Sequence, residues 1–514
     1  MTRTENIIRN TGYGIVSKMA TLLLNFVSRT LFIYILGTTY LGINGLYSEI
    51  LSLLSFAELG FGSAMTFALY KPVAENDQIR IKQLLYFYKS VYRIVAFTVA
   101  VIGLSLIPFL GSIIKGADWL KLSELQFYYV VFLTNNVVGY FVSYKYSFLN
   151  ALQKNYIQTN IETIVTIVCS IAQIAVLMIW KNYAIYLLIN MGLLLLSRFV
   201  ISLYLNHLFP ILGEKPDKKL TPEEQRPIFK DVRGLVIHQF SGVAIHSTDN
   251  ILISSLSEQG ITAVGLISNY SMLMNSVNGF VQIVFNSVIS SFGNIVAEST
   301  TKNYRDSFKL MNFINYWVYG FCSIAFFTLI PAFITLWIGT DKLIDNSVYL
   351  LIVVNFYMQG QSVIYANARA AKGNFGKDKW WSFAQALTNL VVSFLGVKIF
   401  GLIGIYIGTI CSRILYTVGR PLSTYEFLFD EPVSVYFLTY LRDFSSVFII
   451  GFILNLIIKK YIIVGSVTIQ SFLTSCLLNV VVTNALLFIL NYKRAEFVVV
   501  IGRLIQMIER KVKK

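Results

Sequence analysis

The sequence predicts an all-α polytopic membrane protein of about 14 transmembrane helices, arranged as two six-helix bundles related by a pseudo-twofold along the membrane normal, plus two extra C-terminal helices. Three observations predict it. Of 514 residues, 56% are hydrophobic and only 13% are charged, about half the charge density of a soluble domain. Apolar runs of about 20 residues, each long enough to cross a bilayer, return along the whole chain. The chain also repeats itself at an offset near 220 residues. So many spans leave no space for a large catalytic head.

The first strongly apolar stretch, from Tyr13, is too long for a signal-peptide core and lacks a small-residue cleavage site, so it reads as a retained helix over 13–36. Further spans are expected at 44–70, 84–110, 122–148, 157–180 and 183–208. A second set of six follows at 234–256, 262–290, 310–338, 346–370, 379–398 and 402–420, and a final pair at 444–463 and 469–491. The expected organisation is therefore an N-terminal bundle (1–208), a cytoplasmic linker (209–233), a C-terminal bundle (234–420), a second cytoplasmic linker (421–443), helices 13 and 14 (444–491) and a cytoplasmic tail (492–514).

The formal charge is +16, from 42 basic and 26 acidic residues. Spread over short loops, this excess reads as membrane topology rather than nucleic-acid binding. About 32 of the 42 basic residues fall on the amino-terminal side. The opposite loops hold Lys115, Lys121, Lys181, Lys342, Lys398, Lys459 and Lys460, while Arg29, Arg198 and Arg413 lie inside spans. The positive-inside rule then places both termini in the cytoplasm. In the first linker, Thr221, Pro222 and Glu224 supply an N-cap, a proline at N1 and an acidic N3, predicting a short surface helix that leads into the seventh span. The tail alternates basic residues with Val, Ile, Leu and Met, the pattern of an amphipathic helix lying on anionic inner-leaflet lipids. Cysteines at 169, 322, 411 and 476 sit singly in apolar segments, so they read as small buried side chains. His238 and His246 have no metal-ligand company. Neither a metal nor a cofactor is expected.

The repeat is carried by short echoes in matching order. Leu106, Ile107 and Pro108 followed by Gly116 and Asp118 recur as Leu329, Ile330 and Pro331 followed by Gly339 and Asp341; Ser197 and Arg198 recur as Ser412 and Arg413. Six spans per half is an even number, so both halves insert with the same orientation and are related by an axis along the membrane normal, as in transporters that work by alternating access.

Polar residues recur at helical spacing within the spans: Lys18, Thr21, Asn25 and Arg29 in the first; Ser48, Ser52, Ser55, Glu58 and Gly62 in the second; Gln239, His246 and Asp249 in the seventh; Asn275, Asn278, Gln282 and Asn286 in the eighth; Asn355, Gln359, Ser362 and Arg369 in the tenth. Such stripes serve either as hydrogen-bonding glue between helices or as the lining of a wet cavity. Together they suggest a cavity of amides and hydroxyls suited to sugar hydroxyls, with Asn25, Asn275, Asn278, Gln282, Asn355 and Gln359 on its wall. Intramembrane cations are costlier, and Arg29, Arg198, Arg413, Arg369 and Lys18 are the candidates for binding a phosphorylated group, since guanidinium pairs bidentately with phosphate oxygens. Snorkelling for Arg29, and a structural contact for Arg198 and Arg413, are the competing readings. Asp249, Glu58 and Glu49 are candidates for carrying a coupling ion, a proton or sodium; Asp249 could equally neutralise Arg29. The two glycines of the segment from Glu58 to Gly62 could bend the second span.

The amino-terminal residues Ser28, Arg29, Leu36, Gly37, Tyr40, Gly42, Gly45, Tyr47, Glu58 and Gly60, with Thr248, Asp249, Val264, Leu266 and Tyr270 opening the second half, resemble the bacterial polysaccharide flippases of the Wzx type, within the MOP superfamily of multidrug, oligosaccharidyl-lipid and polysaccharide exporters. The likeness extends over the full length in helix count, duplication and the extra C-terminal pair. It implies a flippase, not an enzyme, that moves undecaprenyl-pyrophosphate-linked oligosaccharide across the bacterial plasma membrane for capsule, exopolysaccharide or cell-wall polysaccharide assembly, alongside a polysaccharide polymerase and assembly proteins. Lipid II flippases and multidrug antiporters of the same superfamily are the nearest alternatives. A polysaccharide polymerase, the alternative from another class, would be expected to carry a sizeable outer loop, and none stands in the sequence.

Overall fold

The computed structural model describes residues 3–58, 61–298, 301–371, 379–428 and 432–512. The apolar runs fold, as their composition demands, into helices, which pair most backbone polar groups within the segment itself. In order these are α1 (Arg3–Leu36), α2 (Thr38–Leu54), α3 (Phe61–Ala74), α4 (Gln78–Ser105), α5 (Leu110–Ile113), α6 (Leu122–Ala151), α7 (Asn155–Ile179), α8 (Tyr183–Leu208), α9 (Pro222–Leu256), α10 (Gly260–Glu298), α11 (Thr301–Ile338), α12 (Asn346–Ala371), α13 (Lys379–Phe400), α14 (Leu402–Leu428), α15 (Ser434–Ile457), α16 (Ile469–Asn491) and α17 (Ala495–Val512).

Among the described residues, 10 helices are both long and apolar enough to cross a membrane. The other expected spans fall on α2 with α3, and on α6, α9 and α10, all helical. The second expected span is not one helix. α2 stops at Leu54, a 3-10 turn runs from Ser55 to Glu58, and α3 begins at Phe61. Ser55 helps to end α2, its hydroxyl donating to the Leu51 carbonyl at 2.8 Å and so competing for an acceptor of the last turn.

The chain forms two compact units, Met1–Gly265 and Leu266–Lys514. In the first, α6 packs against α3, α4, α7 and α8. Its Lys145 is 1% exposed and donates to the Ser202 carbonyl (3.0 Å), the Ser202 hydroxyl (2.7 Å) and Asn206 Oδ1 (2.8 Å), tying α6 to α8. Tyrosines fill much of this core because each pairs a large apolar ring with a hydroxyl that must find a partner. Tyr47 donates to the Leu125 carbonyl at 2.7 Å, Tyr140 to Ser55 Oγ at 2.9 Å and Tyr183 to Asn44 Oδ1 at 2.7 Å. Glycine lets the start of α10 lie against α2: a Cβ on Gly265 would sit 2.0 Å from the Thr38 carbonyl oxygen. The predicted capping box forms, with Glu224 Oε2 accepting from the Thr221 amide at 2.8 Å. Those Thr221 bonds, and then Arg80, hold the exposed Glu224 carboxyl below the usual carboxylate range. The surface helix expected there is continuous with the seventh span as the 35-residue α9.

In the second unit, α11 packs against α12, α15, α16 and α17, and α13 pairs closely with α14. Thr328 of α11 accepts from Asn479 of α16 at 2.6 Å, and the Trp317 indole donates to Asn484 at 3.0 Å. The exposed side chains of α4, α15 and α16 include Ile94, Phe97, Ile453, Leu456, Leu473 and Leu477, a surface fit for acyl chains. α17 is amphipathic, as expected for the tail, with Val498, Val499 and Ile505 exposed and Phe497 stacked on Trp317 at 5.7 Å.

Candidate functional site

The break in the second span delivers Glu58 to a cavity of about 580 Å³ within the first unit. α3 contributes Gly62 and Thr66, α4 contributes Tyr92, α6 contributes Ser143, Tyr146, Ser147 and Asn150, and α7 contributes Gln158. The Tyr92 phenol pairs with both the Glu58 carboxyl and the Ser147 hydroxyl. Gly62 keeps this corner open, since a Cβ there would lie 3.3 Å from the Tyr92 hydroxyl. Behind the wall, one guanidinium nitrogen of Arg198 in α8 reaches the Tyr146 hydroxyl at 3.4 Å. On the α7 side, Gln158 donates to Glu162 at 2.9 Å. A carboxylate, phenols, hydroxyls and amides around one hollow can exchange hydrogen bonds with a polyhydroxylated guest in either direction.

The other anticipated residues are placed as follows. Arg29 is partly buried in α1 near Tyr186 of α8, and Asn25 is exposed on the same helix. Glu49 of α2 accepts from Ser247 of α9 at 2.7 Å, with Asp249 partly buried two positions further along α9. In the second unit, Tyr319 joins two members of the eighth-span ladder, donating to Asn278 Oδ1 at 2.9 Å and receiving from Gln282 at 3.1 Å. Arg413 is 6% exposed, and its Nε donates to Asn355 Oδ1 at 2.8 Å. Asn275 is exposed and Gln359 partly buried. The side chains of Lys18 and Arg369, and those of Gln239, His238, His246 and Asn286, lie outside the described residues.

The structure thus brings Arg413 to Asn355 and Asn278 to Gln282, and it gathers Glu58 with residues that sequence reasoning passed over: Tyr92, Tyr146, Ser147 and Gln158. A signal for them existed. Ser143, Ser147 and Asn150 recur at steps of four and three within α6, the same helical stripe that marked other spans. Lys145 was also overlooked, and its three acceptors lie some 60 residues away in sequence.

Residues 7–293 match the family described as "Polysaccharide biosynthesis protein". No curated protein matches the chain. Among solved structures, the lipid II flippase MurJ in an inward closed conformation is similar with a TM-score of 0.65 and 14% identity, covering 93% of this chain and 98% of that one. An inward-facing multidrug resistance MATE family transporter of the MOP superfamily gives 0.61 and 14%, covering 77% and 92%. The Vibrio cholerae MATE transporter VcmN gives 0.59 and 12%, covering 84% and 98%. At these identities the likeness is one of fold: the helical architecture is that of MATE and MurJ transporters.

Proposed function

The chain belongs to the polysaccharide biosynthesis protein family, and from that premise we propose that it is a flippase that carries undecaprenyl-pyrophosphate-linked oligosaccharide across the bacterial plasma membrane by alternating access. Its termini are cytoplasmic and its product feeds a polysaccharide polymerase. The observation that carries this reading is the cavity at Glu58, whose hydroxyl, phenol and amide walls suit a glycan. Arg198 reaches its wall through the Tyr146 hydroxyl. Its contact with Tyr146 uses one of five N–H donors, so a phosphate can take a bidentate pair without breaking the fold. Arg413, sealed against Asn355, serves the second unit first as a structural cation; Arg29 is the further phosphate candidate. Glu58, Glu49 and Asp249 are the groups that would carry a proton or sodium ion.

The test is polymer export in a strain lacking its own flippase. Arg198→Ala is expected to abolish rescue at unchanged membrane abundance, and Arg198→Lys to restore part of it, a point charge replacing a fork. Full export by Arg198→Ala would remove the phosphate assignment. A second reading, lipid II as the cargo, is favoured by the 93% of this chain that superposes on MurJ. Rescue of cells depleted of their lipid II flippase, without rescue of polymer export, would select it.

A further inference from the structure

A second cavity, of about 500 Å³, lies wholly within the second unit. Its walls come from α11, α12 and α15 and from the segment that joins α15 to α16. The apolar wall includes Pro331, Leu350, Phe452 and Ile463; the polar groups include Thr335, Asn346, Ser347, Asn455 and Lys459. Phe452 is 57% and Leu350 37% exposed, so the cleft has an apolar rim at the surface of helices long and apolar enough to cross a membrane.

Its cationic corner is built by an irregularity. α15 ends in a π-helical turn, Ile458–Ile462, in which the Ile463 amide bonds the Ile458 carbonyl at 2.9 Å. Such wide turns are rare and concentrate at functional positions. Here the turn separates two adjacent lysines: Lys459 lines the cleft, whereas Lys460 lies over the Tyr461 ring at 5.3 Å. Lys459 belongs to the few basic residues assigned to the sparsely charged side of the protein. No ion pair to Lys459 occurs among the described residues. Asp345, which directly precedes the lining residues Asn346 and Ser347, is engaged at the start of α12, where it accepts from the Ser347 amide at 2.8 Å. On α11, Pro331 lacks the N–H that would otherwise bond the Phe327 carbonyl, leaving a backbone acceptor in a residue that also lines the cleft.

We infer that this cleft is a binding site for an anionic phospholipid, its phosphate on Lys459, its headgroup hydroxyls toward Asn455 and Ser347, and one acyl chain along Pro331, Leu350 and Phe452. The charge complementarity of one lining cation, Lys459, beside an exposed apolar rim at Leu350 and Phe452 selects a lipid phosphate over a soluble anion. The site is separate from the cavity at Glu58 and does not depend on what that cavity carries.

The test is native mass spectrometry of the full chain in micelles titrated with phosphatidylglycerol or phosphatidylcholine. Wild type is expected to retain phosphatidylglycerol preferentially. One lysine–phosphate contact contributes about 1 kcal/mol near a membrane surface, so Lys459→Ala should reduce that preference about fivefold. Lys460→Ala should leave it unchanged, and Leu350→Trp, which fills the apolar wall, should weaken both lipids. Equal retention of the two lipids by wild type, or an undiminished preference in Lys459→Ala, overturns the proposal. So does displacement of the lipid by millimolar inorganic phosphate, which would make the cleft a simple ion site.

Discussion

Asp443 sits within α15 with a side chain only 7% exposed and receives Arg494 at 3.0 Å and Arg442 at 2.9 Å. Arg494, itself 13% exposed, also donates to Asn491 at 3.0 Å and lies 5.0 Å over the Phe313 ring. One guanidinium thereby ties the start of α17 to α11, α15 and α16. Breaking a buried pair leaves an uncompensated charge, a cost of about 3–5 kcal/mol. Asp443→Asn is therefore expected to lower the thermal unfolding midpoint of the purified protein markedly, while Arg442→Ala, whose partner keeps Arg494, should have a small effect; equal small effects would show that the pair is not structural. None of this was legible in the sequence, where Asp443 reads as the last residue of a linker and Arg494 as one cation of a basic tail. The same holds for Arg198 and Arg413. Their kinship as repeat equivalents can be read from Ser197-Arg198 and Ser412-Arg413, but their different partners, Tyr146 and Asn355, are set by neighbouring helices.

The pairing of α13 with α14 shows what glycine does between helices in lipid, where close backbone approach supplies the attraction that apolar side chains cannot. A Cβ on Gly404 would lie 2.0 Å from the Gly396 carbonyl oxygen, and one on Gly408 2.4 Å from the Ser393 amide nitrogen. Around this contact Asn389 donates to Thr409 at 3.2 Å and Ser393 to the Ile405 carbonyl at 3.0 Å. Gly404→Leu is expected to force the two helices apart and to abolish recovery of folded protein in detergent, measured by the monodisperse fraction on size exclusion; normal recovery would mean that the pair tolerates separation. The small-residue spacing of Gly404 and Gly408 is visible in the sequence, though its partner Gly396 is not singled out by it. The second span teaches the reverse lesson. The sequence predicts one span over 44–70, whereas the chain forms two helices there, with Ser55 donating to the Leu51 carbonyl and accepting from Tyr140 at the break.

For the whole molecule, the charge asymmetry makes a prediction independent of any site. In a variant lacking the four native cysteines, single cysteines in place of Lys115 or Lys342 should react with a membrane-impermeant maleimide on intact cells, and one in place of Lys219 should react only after lysis. Labelling of the Lys219 position from outside would invert the topology and with it the leaflet assigned to Lys459. The sequence by itself determined the helical membrane fold, the internal duplication, the amphipathic tail and membership of a polysaccharide biosynthesis family, because burial in hydrocarbon imposes one length, one backbone solution and a sparse charge pattern on every span. Tertiary structure alone decided which polar side chains meet. Glu58 with Tyr92 and Ser147, Lys145 with Ser202 and Asn206, and Lys459 in its cleft each join helices whose relative rotation is set by packing over long stretches, and no local periodicity encodes that rotation.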